Sequence, residues 1–443
     1  MKVSLLVLAL LLAGLDYFVS KELNFLIICG VLLLLLPQDK AAVYGQLFRL
    51  LWPVTLLIGI GFLAGLMNLQ ELNRDFYRDI FLFAGVLVYI IGGVLLSKYV
   101  QSSDTFFQYF SLVVVLSSIL HLGLVAANFG HFESLQKYRE ATGMTNLSEA
   151  IYVSFLFARL FNKEFRKLIP SLYGVNKIFA AVILVSFLLY FSRTMILTSV
   201  VLTFFLSNLI NIRYFISSRN RRLPYAVLFL ALIIVSSGFV VSLLPPQGFV
   251  TTLVEKFERA PEEVLWEDKN NYATPLADIR DNWRGYEASQ GLKMFYKASD
   301  LKKFFGHGFG ALIDLELRMR LAGKEYEKVP IIHNGYVALL VKSGILGLLF
   351  YLVFIYKVGF SKIDEHANQD VELYYYYQML SGISVVLILN TFTMTGLFSQ
   401  GSAYISIIMG LFIGIIKRKE LSGSINSLHT SSHKKHVYST VRG

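Results

Sequence analysis

Long apolar runs separated by short polar segments repeat along almost the whole chain. A run of about 17–25 apolar residues suits a helix that crosses a bilayer, and the chain holds roughly twelve of them, three of which are short. The predicted spans cover residues 3–19, 23–36, 50–67, 79–97, 109–129, 148–161, 176–191, 194–212, 223–244, 335–356, 374–396 and 402–416. The pattern predicts an all-α polytopic membrane protein with about 12 transmembrane helices.

Composition leads to the same class. Apolar residues make up 55% of the chain and charged residues 16%, whereas ordinary soluble domains contain about 25% charged residues. So few charges cannot cover a water-facing surface. The lone Cys29 cannot build a disulfide framework. Composition therefore excludes a soluble enzyme, a disordered protein and a disulfide scaffold.

The basic residues predict the orientation of the helices. The formal net charge is +11. If the N-terminus is cytoplasmic, most basic residues that do not belong to the long loop fall in cytoplasmic segments. We therefore interpret the charge as an orientation signal and expect no nucleic-acid partner. Both termini are predicted to be cytoplasmic, with the basic tail near anionic membrane lipids.

One long polar segment interrupts the pattern of spans. We expect the chain to divide into helices 1–9 over residues 1–244, a large outer loop over 245–332, helices 10–12 over 333–416, and a basic cytoplasmic tail over 417–443. Long loops carried by a rigid scaffold are usually functional. The active surface is therefore predicted on the outer face.

Part of this loop has helical periodicity. It begins at Asp278, which suits an N-cap, and runs as DIRDNWRGYEASQGLKMFY. On a helix Arg280, Arg284 and Glu287 share one face. Two interpretations stay open: a solvated face on which Asp281 and Glu287 pair with the arginines, or a surface that binds an anion. The loop is predicted to be partly helical.

Two further arginines are candidate anion ligands. Arg193 stands in YFSRTMIL between two apolar runs at the predicted outer face. Two interpretations are open. Arg193 could be a snorkelling side chain that extends to the interface and has no further role, or its guanidinium could bind a lipid-linked phosphate with two parallel hydrogen bonds. Arg139 in KYREATGMTN carries the same ambiguity. Separated arginines on one face could converge on a diphosphate.

His333 opens the segment IIHNGYVALLVKSGILGLLFY, where the loop returns to the membrane. A lone His is often structural, but an imidazole at an interface could serve as a base or a phosphate ligand, with Asn334 orienting it. Lys342 lies nine residues further on. It suggests that the first turns follow the interface and that the true span begins near Gly344.

The remaining polar features of the sequence are given no functional role. Residues 306–310 (GHGFG) match no phosphate-binding motif and predict a tight turn that exposes His307. Asp16 and His121 lie inside predicted spans, where a structural pair and a pore-facing role are equally open. The carboxylates lack the ligand spacing of zinc or calcium sites, so we expect no metal and no other cofactor.

These motifs together resemble the O-antigen ligase and O-antigen polymerase superfamily of bacterial integral-membrane glycosyltransferases. Four elements match in order: YREATGMTNLSEA before the sixth span, SRT opening the eighth, RGYEASQGLKMF with FFGHGFG in the long loop, and HNGYVALLVKSGILGLLFY after it. The likeness covers roughly residues 135 to 360. The His-Asn pair followed by glycines at the start of a span is its most specific part.

The resemblance implies a multi-pass protein of the bacterial inner membrane whose long loop is periplasmic. It implies a metal-independent transfer of a glycan from undecaprenyl diphosphate to a sugar hydroxyl, the acceptor being lipid A core or a growing glycan. Arg193 and Arg284 would hold the diphosphate, with Arg139 and Arg280 as further ligands. His333 would activate the acceptor or steady the diphosphate, supported by Asn334.

Three functions follow from this interpretation. The first is an O-antigen ligase, and the second is a repeat-unit polymerase for O-antigen, capsule or exopolysaccharide, which needs the same donor site. The third is a polysaccharide or lipid flippase, whose cavity would need charges inside the bundle. The arginines at the outer rim favour a glycosyltransferase over a flippase.

Overall fold

The computed structural model describes residues 25–27, 29–30, 41–68, 73–100, 102–128, 142, 146–169, 177–190, 192–210, 279, 283–321, 324–360, 370–399 and 402–440. Within them the chain is mostly helical. The longer elements are α1 (Ala41–Asn68), α2 (Arg74–Leu96), α3 (Ser103–Ala127), α4 (Leu147–Phe161), α5 (Lys163–Leu168), α6 (Lys177–Leu189), α7 (Arg193–Leu206), α8 (Trp283–Tyr296), α9 (Asp300–Phe305), β1 (Ile313–Leu321), β2 (Lys324–Val329), α10 (Gly335–Phe360), α11 (Val371–Thr393) and α12 (Ser402–Thr440).

Four helices in the described part of the chain are long and apolar enough to cross a membrane. They are Leu47–Asn68, Arg74–Tyr99, Phe106–Ala127 and Gly335–Phe360, and Lys177–Leu189 and Arg193–Leu206 are shorter apolar helices. The predicted spans 3–19 and 223–244, and most of 23–36, lie outside the described residues. The chain is thus a helical membrane protein with four such helices in its described part.

Close helix packing builds the bundle. Helix α12 runs along α2, α10 lies between α1 and α11, and α7 packs between α4 and α11. A Cβ atom at Gly93 or Gly410 would collide with the backbone of the facing helix, α12 or α2 respectively. Small residues at such contacts let two helix backbones approach each other.

Large apolar side chains cover the outside of these helices. Leu116 and Leu120 on α3, and Leu349 and Leu352 on α10, are all exposed. Water would disfavour such a surface, whereas lipid tails accept it. The exposure pattern therefore agrees with a membrane environment.

A β-hairpin corrects the all-α prediction for the long loop. Strands β1 and β2 pair antiparallel, with Ile313 opposite Val329. Ile313 and Leu315 are buried, whereas Asp314 and Glu316 are exposed. This alternation is the period of a strand with one buried face. The apolar face packs with α8 and the start of α10 in a small second core.

Candidate functional site

The glycine-rich segment 306–310 forms the tight turn that the sequence predicts. Gly306, Gly308 and Gly310 have φ angles of 84°, 90° and 81°, which L side chains rarely adopt. A Cβ atom at Gly308 would overlap the backbone of Ala64 in α1. The turn therefore needs glycine both for its conformation and for its contact with α1.

Phe309 inserts this turn into the helix bundle. Its side chain is fully buried, and its ring centroid lies 4.8 Å from that of Phe83 in α2. The Phe309 backbone N–H donates to the Gly61 carbonyl at 2.8 Å, and the His307 N–H donates to the Val341 carbonyl at 2.7 Å. The turn thus joins α1, α2 and α10 at one end of the bundle.

A buried ion pair that the sequence analysis missed lies beneath the turn. Lys342 Nζ lies 2.5 Å from Asp79 Oδ2, and the two side chains are 1% and 0% exposed. Lys342 Nζ also donates to the Ala311 carbonyl at 2.6 Å, and the Gly310 N–H donates to Asp79 Oδ2 at 2.9 Å. The pair therefore ties α2, α10 and the loop together.

Helix α10 is broken at Gly344, where the sequence predicts the span to begin. Gly344 has φ 67° and ψ −168°. The segment before the break packs Val337, Ala338 and Val341 into the core of the loop. The first two turns of α10 therefore belong with the loop, and Asn334 caps them by accepting from the Val337 N–H at 3.2 Å.

His333 contacts the carboxylate of Glu287, a residue that the sequence analysis considered only as a partner of Arg280 and Arg284. His333 Nδ1 lies 2.6 Å from Glu287 Oε2, and the His333 backbone N–H donates to the same oxygen at 3.2 Å. The His333 side chain is 50% exposed, whereas that of Glu287 is 3% exposed. Among described residues the ring of His333 is thus held by Glu287, while Asn334 caps the helix.

Helix α8 carries Glu287 and Arg284 to this place. The Tyr286 hydroxyl donates to the Leu315 carbonyl of β1, and Gly291 lets α8 approach Ile332 closely. Arg284 precedes Glu287 by three residues and is half-buried, so the two lie on neighbouring turns of one face. The predicted N-cap Asp278 and Arg280 lie outside the described residues, as does Arg139.

Arg193 is the first residue of α7 and is half-buried. Thr194, next to it, lines a cavity of about 10 Å³ together with Met394, beyond the end of α11. The Met394 carbonyl accepts from the Gly335 N–H at 3.0 Å. Met394, the residue that follows α11, thus lies near the start of α7 and is hydrogen-bonded to the start of α10.

The electrostatics of this place favour an anion. The N-terminus of a helix carries a partial positive charge, which attracts phosphates. Arg193 adds a full positive charge to the N-terminus of α7, and His333 stands just before the N-terminus of α10. The N-termini of two helices and two cationic or ionisable side chains therefore lie at the same end of the bundle.

A second buried polar group lies beside the start of α7. Glu149, fully buried in α4, accepts from the Ser186 hydroxyl at 3.0 Å and from Asn146 Nδ2 at 3.2 Å. The Ser186 hydroxyl also lies 2.8 Å from His121 Nδ1. His121 therefore has a structural partner, while Asp16 lies outside the described residues.

His307 is half-buried, which corrects its predicted exposure. Its Nε2 atom is buried without a hydrogen-bond partner among the described residues. Burial, followed by the charge of Lys302, lowers the pKa of His307. With Gln290 and Asp314 it lines an open cavity of about 400 Å³ beside α8. The backbone N–H groups of His307 and Gly308 donate to the carbonyls of Val341 and Lys342, which holds this part of the turn against α10.

Comparison with known protein families finds a similarity in this part of the chain. Residues 178–352 match the family model described as O-antigen ligase. The predicted resemblance to the O-antigen ligase and polymerase superfamily is thereby confirmed. The O-antigen ligase match contains Arg193, Arg284 and His333, and it spans the glycine turn and the break in α10. No curated protein matches the chain.

Proposed function

We propose that this protein is a lipid-linked-oligosaccharide glycosyltransferase of the O-antigen ligase type, acting on the periplasmic face of the bacterial inner membrane. One observation carries the proposal: Met394 lines a small cavity with Thr194, next to Arg193, and accepts a hydrogen bond from Gly335, two residues after His333. An undecaprenyl-linked diphosphate is a membrane-bound anion of the kind that such a place attracts. The donor would therefore bind here.

In the proposed mechanism, Arg193 and Arg284 hold the diphosphate with charge-assisted hydrogen bonds. The acceptor hydroxyl attacks the anomeric carbon with inversion and transfers its proton to His333 Nε2. The bond between the anomeric carbon and the diphosphate oxygen breaks, and its electron pair stays on that oxygen. The arginines stabilise the negative charge that develops there.

The first test is reconstitution of the purified protein in liposomes with undecaprenyl-diphosphate-linked repeat units, with and without lipid A core. Product only in the presence of lipid A core would indicate a ligase. A ladder of products without lipid A core would indicate a repeat-unit polymerase of the same superfamily. Movement of the intact lipid-linked glycan across the bilayer, without new glycosidic bonds, would replace the proposal with a flippase.

Substitutions of the arginines test the donor site. Replacing Arg193 or Arg284 with Ala should lower turnover about 10²–10³-fold, because each removes a donor to a developing anion. Arg318→Ala is the matched control, since Arg318 lies on β1 with its side chain 77% exposed and should leave turnover unchanged. Wild-type turnover in both site variants would refute the assignment.

A further inference from the structure

Glu287 and His333 form a hydrogen-bonded pair in which the histidine side chain is exposed and the glutamate side chain is buried. Glu287 is almost fully buried, and one of its oxygens accepts from both the ring and the backbone of His333. Burying a carboxylate is costly unless hydrogen bonds satisfy it. The two hydrogen bonds from His333 therefore offset part of the cost of burying the Glu287 carboxylate.

We propose that Glu287 is a positioning residue that fixes the ring orientation and the tautomer of His333; this proposal rests on the proposed function. A carboxylate can only accept, so His333 Nδ1 must carry the proton of their 2.6 Å hydrogen bond. In the neutral ring Nε2 is then the acceptor nitrogen. The His333 backbone N–H also donates to Glu287, which holds the start of the His333 side chain in place.

The surroundings of Glu287 make this orientation rigid. The next residue, Ala288, belongs to the small core formed by α8, the hairpin and the first turns of α10. That core fixes α8 against the segment that carries His333. Because the His333 side chain remains 50% exposed, a sugar hydroxyl can reach the ring. The arrangement therefore leaves Nε2 to take the acceptor proton while Glu287 holds the other nitrogen.

The test compares steady-state kinetics of four variants in liposomes: Glu287→Ala, Glu287→Gln, Glu287→Asp and His333→Ala. Glu287→Ala should lower kcat between about tenfold and 10⁴-fold, as found for carboxylates that orient a ligand or a catalytic histidine. KM for the lipid-linked donor should stay within about twofold of the wild type, because the arginines bind it. Glu287→Gln should be similarly impaired, since an amide can donate to the ring and permit the other tautomer. Glu287→Asp should recover part of kcat.

A double variant separates positioning from a structural role. If Glu287 acts through His333, Glu287→Ala should lower kcat no further when His333 is already Ala. Glu316→Gln is the control, because Glu316 is an exposed carboxylate of the same loop, 51% exposed and paired with Lys293. Thermal unfolding of every variant checks that loss of turnover is not loss of fold. Should Glu287→Ala fail to fold, the Gln and Asp variants, each with and without His333→Ala, give the same comparison.

The outcomes distinguish this inference from the proposed function. Wild-type kcat in Glu287→Ala or Glu287→Gln, with an impaired His333→Ala, would overturn the role of Glu287 alone. Additive losses in the double variant would overturn it as well, and would indicate that Glu287 stabilises the loop. Wild-type turnover in His333→Ala would instead refute the proposed role of His333 and the positioning role of Glu287 with it.

Discussion

Lys342→Met removes one partner of the buried ion pair between α10 and α2. Both side chains are at most 1% exposed, and Nζ lies 2.5 Å from Asp79 Oδ2. Methionine is similar in length to lysine without its charge, so the change isolates the electrostatic contribution. In this variant Asp79 keeps the Gly310 N–H and the contact with Arg78 at 3.2 Å.

The expected loss follows from these contacts. Breaking a buried ion pair by removing one partner typically costs about 3–5 kcal/mol, because a buried charge is left unpaired. Arg78 is one-third exposed and compensates in part, so the free energy of unfolding should fall by about 3 kcal/mol. Replacing both partners, as Lys342→Met with Asp79→Leu, removes the unpaired charge. The double variant should therefore lose less than the two single losses combined.

The assay is equilibrium unfolding in mixed micelles with an increasing fraction of denaturing detergent, and tryptophan fluorescence is the readout. Lys293→Met is the control, because its pair with Glu316 lies at the surface and such pairs contribute about 0–1 kcal/mol. A loss in Lys342→Met no larger than in Lys293→Met would refute the reasoning. So would a double variant whose loss equals the sum of the single losses.

Three further predictions concern the loop and the reaction. Gly308→Ala should destabilise the protein by at least about 1–2 kcal/mol, because an alanine there must adopt a left-handed conformation and its Cβ atom also meets the backbone of α1. Unfolding in mixed micelles measures this loss, and an unchanged stability would contradict the prediction. Burial, and then Lys302, lowers the pKa of His307, so its contribution to stability is present above the ordinary histidine pKa and is lost as the pH falls below that value. The melting temperature should therefore fall less between about pH 7.5 and 5.5 in His307→Gln than in the wild type, and equal falls would show that another group is responsible. Because the sequence lacks the ligand spacing of a metal site, glycan transfer should persist in excess EDTA, whereas a loss that magnesium restores would show that the carboxylates were misinterpreted.

Helix positions were the most predictable part of the fold. The span predicted over 148–161 is observed as Leu147–Phe161, and the one over 79–97 as Arg74–Leu96. Hydropathy works here because lipid requires a continuous apolar run, and this requirement is local in sequence. The starts of α7 and α10 were predictable for the same reason, and with them the places of Arg193 and His333.

The hairpin shows where the sequence analysis misread an available signal. Residues 313–321 alternate strictly between apolar and charged side chains, which is the pattern of a strand. The loop is predicted to be partly helical, and its carboxylates at 314 and 316 are interpreted only as surface charge. Counting the two-residue period separately would have predicted β1.

The amino-acid sequence by itself determined the class of this protein, the direction of its helices as a prediction, and the resemblance to the O-antigen ligase family, whose model matches residues 178–352. Only the tertiary structure decided which charged groups meet. Lys342 pairs with Asp79 across 263 residues, and His333 with Glu287 across 46. Hydrophobic pattern is a property of neighbouring residues, whereas these pairs depend on how separate helices pack, because a buried charge selects whichever partner the packing brings within hydrogen-bond distance.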